Sequence, residues 1–172
     1  MATKEETYRS LLGQIGAMPR MDRKSLLGEV AGMLYGRFGF WWSGFYLSDS
    51  LPWVDEVRCA GKDEGPGTGL SKGPWLVLGP NFGPPACEMI RYGRGVCGTA
   101  WAEGRTVVVP DVDLFPGHIA CSSESRSEIV VPVFLGEEAA GVLDIDSRVL
   151  SAFDTTDAVW LERICREVAR RL

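Results

Sequence analysis

Helices at the two ends of the chain, with apolar strand-like runs between them, predict an α+β fold: an antiparallel sheet with helices packed on one face. Three observations carry this. Apolar residues recur at helical spacing near both termini. Residues 127–135 and 140–146 are apolar runs joined by Gly136-Glu137-Glu138, a hairpin pattern. Residues 40–47, Phe-Trp-Trp-Ser-Gly-Phe-Tyr-Leu, read as a further strand. The sheet face away from the helices, roofed by irregular segments, is the natural place for a ligand pocket.

Taken in order, residues 3–17 form an amphipathic helix through Tyr8, Leu11, Leu12 and Ile15, and Gly16 and Pro19 end it. Asp22 is a good N-cap for a second helix that closes at Gly39. In the strand that follows, alternation puts Trp42, Gly44 and Tyr46 on one face, and Trp41, Ser43, Phe45 and Leu47 on the other. Gly44 lacks a side chain, which leaves room for something to approach that face. Residues 48–74 are a long Gly/Pro-rich insertion between strands, in which Trp53, Val54 and Val57 suggest a short extra strand. Strand character resumes over 74–79, and 79–85 is turn material. Short strands are expected at 87–91 and 106–109, with a short helix at 96–103 between them. Residues 110–127 are irregular, and a last helix begins near Asp154 and carries Trp160, Ile164 and Val168. No internal repeat or domain boundary interrupts the 172 residues, which read as a single domain over 1–172.

Composition narrows the function. A formal net charge of -5 argues against nucleic-acid and anionic-membrane binding. The opening Met1-Ala2-Thr3-Lys4-Glu5-Glu6 is polar, and no apolar run reaches the length of a membrane span. A cytoplasmic, reducing compartment is therefore expected. There, 5 cysteines argue for catalysis or metal binding over permanent cross-links.

Three of these cysteines, the single histidine and three acids in apolar, strand-like surroundings fall between Cys87 and Asp146. Cys97 opens a predicted helix after Gly93-Arg94-Gly95, where the helix N-terminus and Arg94 lower a thiol pKa. Cys121 lies in the irregular segment three residues after His118, which can activate a thiol. On residue chemistry alone, Cys97 and Cys121 are equally good nucleophiles. His118 and Cys121 with Cys87 and Cys97 would make a rival zinc set, but the gap from 87 to 97 does not match the usual pairing of zinc ligands. Asp144 and Asp146 share one face of an apolar strand, and Glu128 lies on the neighbouring arm of the hairpin. Three carboxyls converging in a partly dry pocket raise one another's pKa values, so that one can donate a proton and another can hold an ammonium group. Cys59 and Cys165 lie outside this constellation, the first as an incidental thiol and the second as a buried small hydrophobe.

Five stretches together closely resemble the GAF-domain free methionine-(R)-sulfoxide reductases: 42–47 (Trp-Ser-Gly-Phe-Tyr-Leu), 93–100 (Gly-Arg-Gly-Val-Cys-Gly-Thr-Ala), 117–121 (Gly-His-Ile-Ala-Cys), 127–132 (Ser-Glu-Ile-Val-Val-Pro) and 141–147 (Gly-Val-Leu-Asp-Ile-Asp-Ser). The set is specific because all three cysteines stand in register. The resemblance implies a GAF fold of six antiparallel strands with helices behind. It implies reduction of free methionine-(R)-sulfoxide with no metal or organic cofactor. It maps the attacking cysteine onto Cys121, the resolving cysteines onto Cys87 and Cys97, and the acids of the family's site onto Glu128, Asp144 and Asp146. Trp42, with Tyr46 on the same strand face, bounds the expected substrate pocket. The implied cycle leaves Cys121 as a sulfenic acid that a second thiol, most readily Cys87, condenses to a disulfide, which a dithiol such as thioredoxin then reduces. The 48–74 insertion departs from the family's pattern and leaves the assembly open, a homodimer included. A non-catalytic GAF module that binds a small ligand or senses redox state is the alternative reading.

Overall fold

In the computed structural model, residues 2–59 and 74–172 are described. Strands β1 (Trp42–Ser48), β2 (Trp75–Phe82), β3 (Met89–Arg91), β4 (Val107–Val109), β5 (Ser127–Leu135) and β6 (Glu138–Ser147) form one sheet in the order β3-β2-β1-β6-β5-β4. Every neighbouring pair is antiparallel. The expected α+β class and six-stranded sheet are both present.

Alternation along the strands divides the apolar residues between two layers. Phe45, Leu47, Ile129, Val131, Leu143 and Ile145 point to the face covered by helices α1 (Lys4–Ala17), α2 (Arg23–Phe38) and α5 (Thr155–Ala169). Each of these helices starts on a side-chain cap. Thr3 and Glu6 form a capping box at α1, Asp22 accepts from the Ser25 amide at α2, and Asp154 caps α5. Gly39 ends α2 with a left-handed φ of 66°. Asp157, buried in the first turn of α5, accepts from the Tyr8 hydroxyl at 2.8 Å and from Lys4 Nζ at 2.6 Å, which docks α1 onto α5.

The opposite face carries Trp42, Tyr46, Val130 and Val142, and here the expectation of helices on one face needs correction. Helix α4 (Gly95–Glu103) packs on this side, with Val96, Cys97, Ala100 and Trp101 buried against the sheet. Its residues are apolar nearly all round, so it needs cover from both the sheet and the loops above it.

Three local expectations also change. Val54–Val57 is a single helical turn, α3, where a strand was expected; Asp55 and Glu56 in its first turn suit the positive end of a helix. Residues 79–82, expected as a turn, continue β2. Pro80 is tolerated there because β3 pairs only with residues 75–77 of β2, so this stretch has a free edge on one side. A register shift between Gly44 and Tyr46 absorbs the extra residue on β2. Finally, the space beside Gly44 is occupied from within: a Cβ there would meet the Trp42 ring and Asn81, so the glycine makes room for Trp42 and not for a ligand. The expected 48–74 insertion does lie between β1 and β2, but its residues 60–73 fall outside the described residues.

Gly141 in β6 faces Leu47 of β1, and a Cβ at this position would collide with the Tyr46 carbonyl. Gly141→Ala should therefore push β1 and β6 apart and lower stability by roughly 1–3 kcal/mol, the usual cost of overpacking. Urea denaturation of the two proteins checks this, and an unchanged midpoint would show that the two strands have slack.

Candidate functional site

Strand register assembles the acidic centre. Trp42 lies opposite Asp146, and Asp146 lies opposite Glu128, so the three form one row across β1, β6 and β5. The next row on the same face holds Gly44, Asp144 and Val130. Glu128 and Asp144 are buried, and Asp146 is half-buried beside them. Cys97, in the first turn of α4, reaches down onto this cluster, with its Sγ 3.9 Å from Glu128 Oε1. His118 approaches from the loop above, its Nε2 3.7 Å from Glu128 Oε2.

Burial dominates the electrostatics of this cluster. It raises the Glu128 carboxyl well above the usual carboxylate range, with the charge of Asp146 adding to it. It does the same to Asp144, where Asp146 and Glu128 both contribute. Asp146 is pushed to about 6 by burial, against the opposing effects of a hydrogen bond from Ser125 and the nearby His118. Cys97 is raised well above an ordinary thiol by burial and then by the Asp144 and Glu128 charges. This overturns the expectation that the helix N-terminus and Arg94 would activate Cys97. Arg94 is exposed, and a helix-end dipole does not offset full burial among carboxyls.

The other two thiols of the constellation are joined. Cys87 and Cys121 form a disulfide with Cα atoms 5.5 Å apart. Each end is held in place. The Tyr46 hydroxyl donates to the Cys87 carbonyl at 2.8 Å. Next to Cys121, the Ser122 hydroxyl accepts from Trp41 Nε1 at 3.3 Å. Arg148 stacks over Trp41, 4.2 Å from the ring centre, and also reaches Glu124 at 3.3 Å. The loop that carries Cys121 is thus tied to β1 and to the end of β6.

One cavity unites these groups. It spans about 540 Å³ of empty space, its open mouth to solvent included. Trp42, Tyr46, Cys97, Cys121, Glu128, Asp144 and Asp146 all line it, and Cys87 is bonded to Cys121 at its edge. The structure therefore brings together every residue the sequence singled out for the site. Cys59 is exposed on the chain after α3, and Cys165 is buried in the α5 core, both apart from the cavity. The zinc set of His118 with three cysteines is unavailable in this state, because Cys87 and Cys121 are bonded to each other. A different donor set exists, since Cys97, Glu128 and Asp144 offer atoms all within 4.8 Å of one another. Ser122, Ser125, Ile90 and Ile119 also line the cavity or brace it and were not singled out from sequence. Only the nearness of the two serines to Cys121 and Glu128 in the chain pointed to them.

The GAF domain family matches residues 17–172. GAF domain-containing protein A of Dictyostelium discoideum is 43% identical over 166 residues, covering 95% of this chain and 91% of that protein. The free methionine-R-sulfoxide reductase of Escherichia coli is 35% identical over 172 residues, covering 98% and 90%. Among solved structures, the free methionine-R-sulfoxide reductase of Neisseria meningitidis, in complex with its substrate, superposes with a TM-score of 0.83 at 43% identity over 99% of this chain and 91% of that one. Matched by the GAF domain family over residues 17–172 and by these reductases along nearly its whole length, this protein belongs to the GAF-domain free methionine-R-sulfoxide reductase family.

Proposed function

We propose that this chain reduces free methionine-(R)-sulfoxide to methionine, with Cys121 as the attacking thiol. The observation that carries the reading is the Cys87–Cys121 disulfide beside a buried cluster of protonatable acids. The reductase relatives in Escherichia coli and Neisseria meningitidis give the substrate class.

In the reduced protein, the Cys121 thiolate attacks the sulfoxide sulfur. Glu128 or Asp144, kept protonated at neutral pH by burial, protonates the sulfoxide oxygen. Methionine departs, and the oxygen passes to Cys121 as a sulfenic acid. The Cys87 thiol then displaces water from that sulfenic acid and closes the disulfide. An external dithiol such as thioredoxin takes up the disulfide by exchange and restores both thiols. Cys97, buried and with its pKa raised, is a poor first nucleophile, which favours Cys121 in that role.

Selection for the free amino acid rests on charge. Asp146 is the least buried of the three acids and the one that ionises near neutrality, so it is suited to hold an ammonium group that a peptide-bound residue lacks. Trp42 and Tyr46 supply an aromatic wall, and thioether sulfur and methyl groups contact ring edges favourably.

Turnover of the free (R) epimer, the free (S) epimer and a peptide-bound sulfoxide, each with a dithiol reductant, tests the reading. Only the first should react, and equal turnover of the peptide would remove the role given to Asp146. Cys121→Ser should abolish even single-turnover methionine release; substantial product from that variant moves the attack to another thiol. Cys59→Ser and Cys165→Ala should keep nearly full turnover per folded molecule, because neither residue meets the cavity.

The Asp146 carboxyl gives a pH signature. Below about 6 it is neutral and holds an ammonium weakly; above about 6 it is an anion. The KM for the free amino acid should therefore fall as pH rises through about 6, and Asp146→Asn should flatten that step. Initial-rate kinetics from pH 5 to pH 8 read both, and a step that survives in the variant belongs to another group.

A further inference from the structure

Cys97 is not consumed by the disulfide. It remains a free, buried thiol that lines the cavity from α4, and the two oxygens of Glu128 face it and His118. Asp144 stands beside it with Oδ1 buried and without a hydrogen-bond partner among the described residues. An orphaned carboxylate oxygen in a low-dielectric pocket calls for a cationic or donor partner from outside. From this arrangement we propose that the cavity binds one zinc-type divalent cation through Cys97, Glu128 and Asp144, with His118 as the fourth ligand, and that this cation competes with substrate.

The distances suit that ion. A tetrahedral zinc with bonds of roughly 2.0–2.3 Å sets its ligand atoms roughly 3.3–3.8 Å apart. Cys97 Sγ lies 3.9 Å from Glu128 Oε1, and His118 Nε2 lies 3.7 Å from Glu128 Oε2. The three-residue set as a whole lies within 4.8 Å. Cys97, Glu128 and Asp144 can therefore close around a cation by small side-chain rotations, and His118, which lies outside that three-residue set, completes the site by turning from Glu128 toward the ion. A mixed sulfur, nitrogen and oxygen set selects zinc or cobalt over magnesium and calcium, which take six or more oxygens. On coordination, Cys97 gives up its thiol proton to solvent and becomes a thiolate ligand. The cation neutralises a cluster of carboxyls that cannot all ionise together in the bare pocket. It occupies the cavity assigned to the substrate and takes up Glu128 and Asp144, the acids assigned to proton transfer, so the two exclude each other. That competitive half of the proposal rests on the reductase reading, whereas the metal site itself does not.

The metal site is tested on a Cys59→Ser background with the Cys87–Cys121 disulfide intact, so that Cys97 is the one cavity thiol able to bind. Titration with Co2+ should produce a thiolate-to-metal charge-transfer band that saturates at one equivalent, and Zn2+ but not Mg2+ should displace it. Cys97→Ser should abolish the band, and Asp144→Asn should weaken Co2+ binding at least tenfold. No saturable band, or a band unchanged in either variant, overturns the site; the second variant decides if the first does not fold. On the reduced enzyme, one equivalent of Zn2+ should raise the KM for the sulfoxide at least tenfold in the parent protein but not in Cys97→Ser, with activity restored by a chelator or by excess substrate; equal inhibition of Cys97→Ser belongs to the freed Cys87 and Cys121 thiols and overturns the competition. Inhibition that excess substrate does not relieve overturns the competition. A protein that binds Co2+ as described but turns over no sulfoxide keeps the metal site and loses the reductase reading.

Discussion

Burying three carboxyls on one face of a sheet is the constraint around which the rest is arranged. Glu128, Asp144 and Asp146 cannot all be anions in such a place, so protons are retained where ordinary carboxyls would have lost them. Retained protons are what the proposed transfer to a sulfoxide oxygen draws on. The fold bears a cost for this. An unfolded Asp146 releases its proton near 3.8, whereas the folded one holds it to about 6. Over that interval the unfolded chain binds fewer protons than the native one, so this group's contribution to stability falls as pH rises from about 4 to about 6.

The opposite face of the sheet offsets that cost, and a second buried acid shows how differently the two sides are built. Asp157 is as buried as Glu128 or Asp144, yet it accepts from the Tyr8 hydroxyl, from Lys4 and from the Asp154 amide. Each of its oxygens has a partner, and it clamps α1 to α5. Asp144 keeps an oxygen without one. A buried polar group that is fully partnered specifies packing, while one that is not marks a place where something from outside completes the set. The capped helices α1, α2 and α5 and the apolar layer beneath them make the rigid support. The pocket face can then carry groups that do not satisfy one another.

The division between faces was legible in the sequence because strand alternation is a local property. Trp42 and Tyr46 could be assigned to one side, and Asp144 and Asp146 to one side, without knowing what lay opposite. The helix ends were equally local: Asp22, Gly39 and Asp154 act as caps through their immediate neighbours. What lay beyond reach were the features set by tertiary partners. Pro80 reads as a turn until one knows that β3 is too short to pair with it. Gly44 reads as space for a ligand until the Trp42 ring is found in that space. The side on which α4 packs was also hidden, since a nine-residue apolar helix fits under either face equally well.

The same limit explains the thiols, where local chemistry pointed equally to Cys97 and Cys121. A cysteine in the first turn of a helix after an arginine has every sequence mark of an activated thiolate. The marks fail because they concern fields from exposed or terminal groups, and the energy of removing a thiolate from water among carboxyls is larger. Cys121 stands on an irregular loop with none of those marks. Yet the loop is anchored through Ser122 to Trp41 and through Glu124 to Arg148, and the thiol meets Cys87, whose own carbonyl is held by Tyr46. The burial of Cys97 and the placement of Cys121 together favour Cys121 in the proposed attacking role. A thiol on a tethered loop can reach a substrate from above and then turn to a neighbouring cysteine. A thiol buried between α4 and the acids can do neither without dragging α4 with it, and it is left free to interact with whatever enters the pocket.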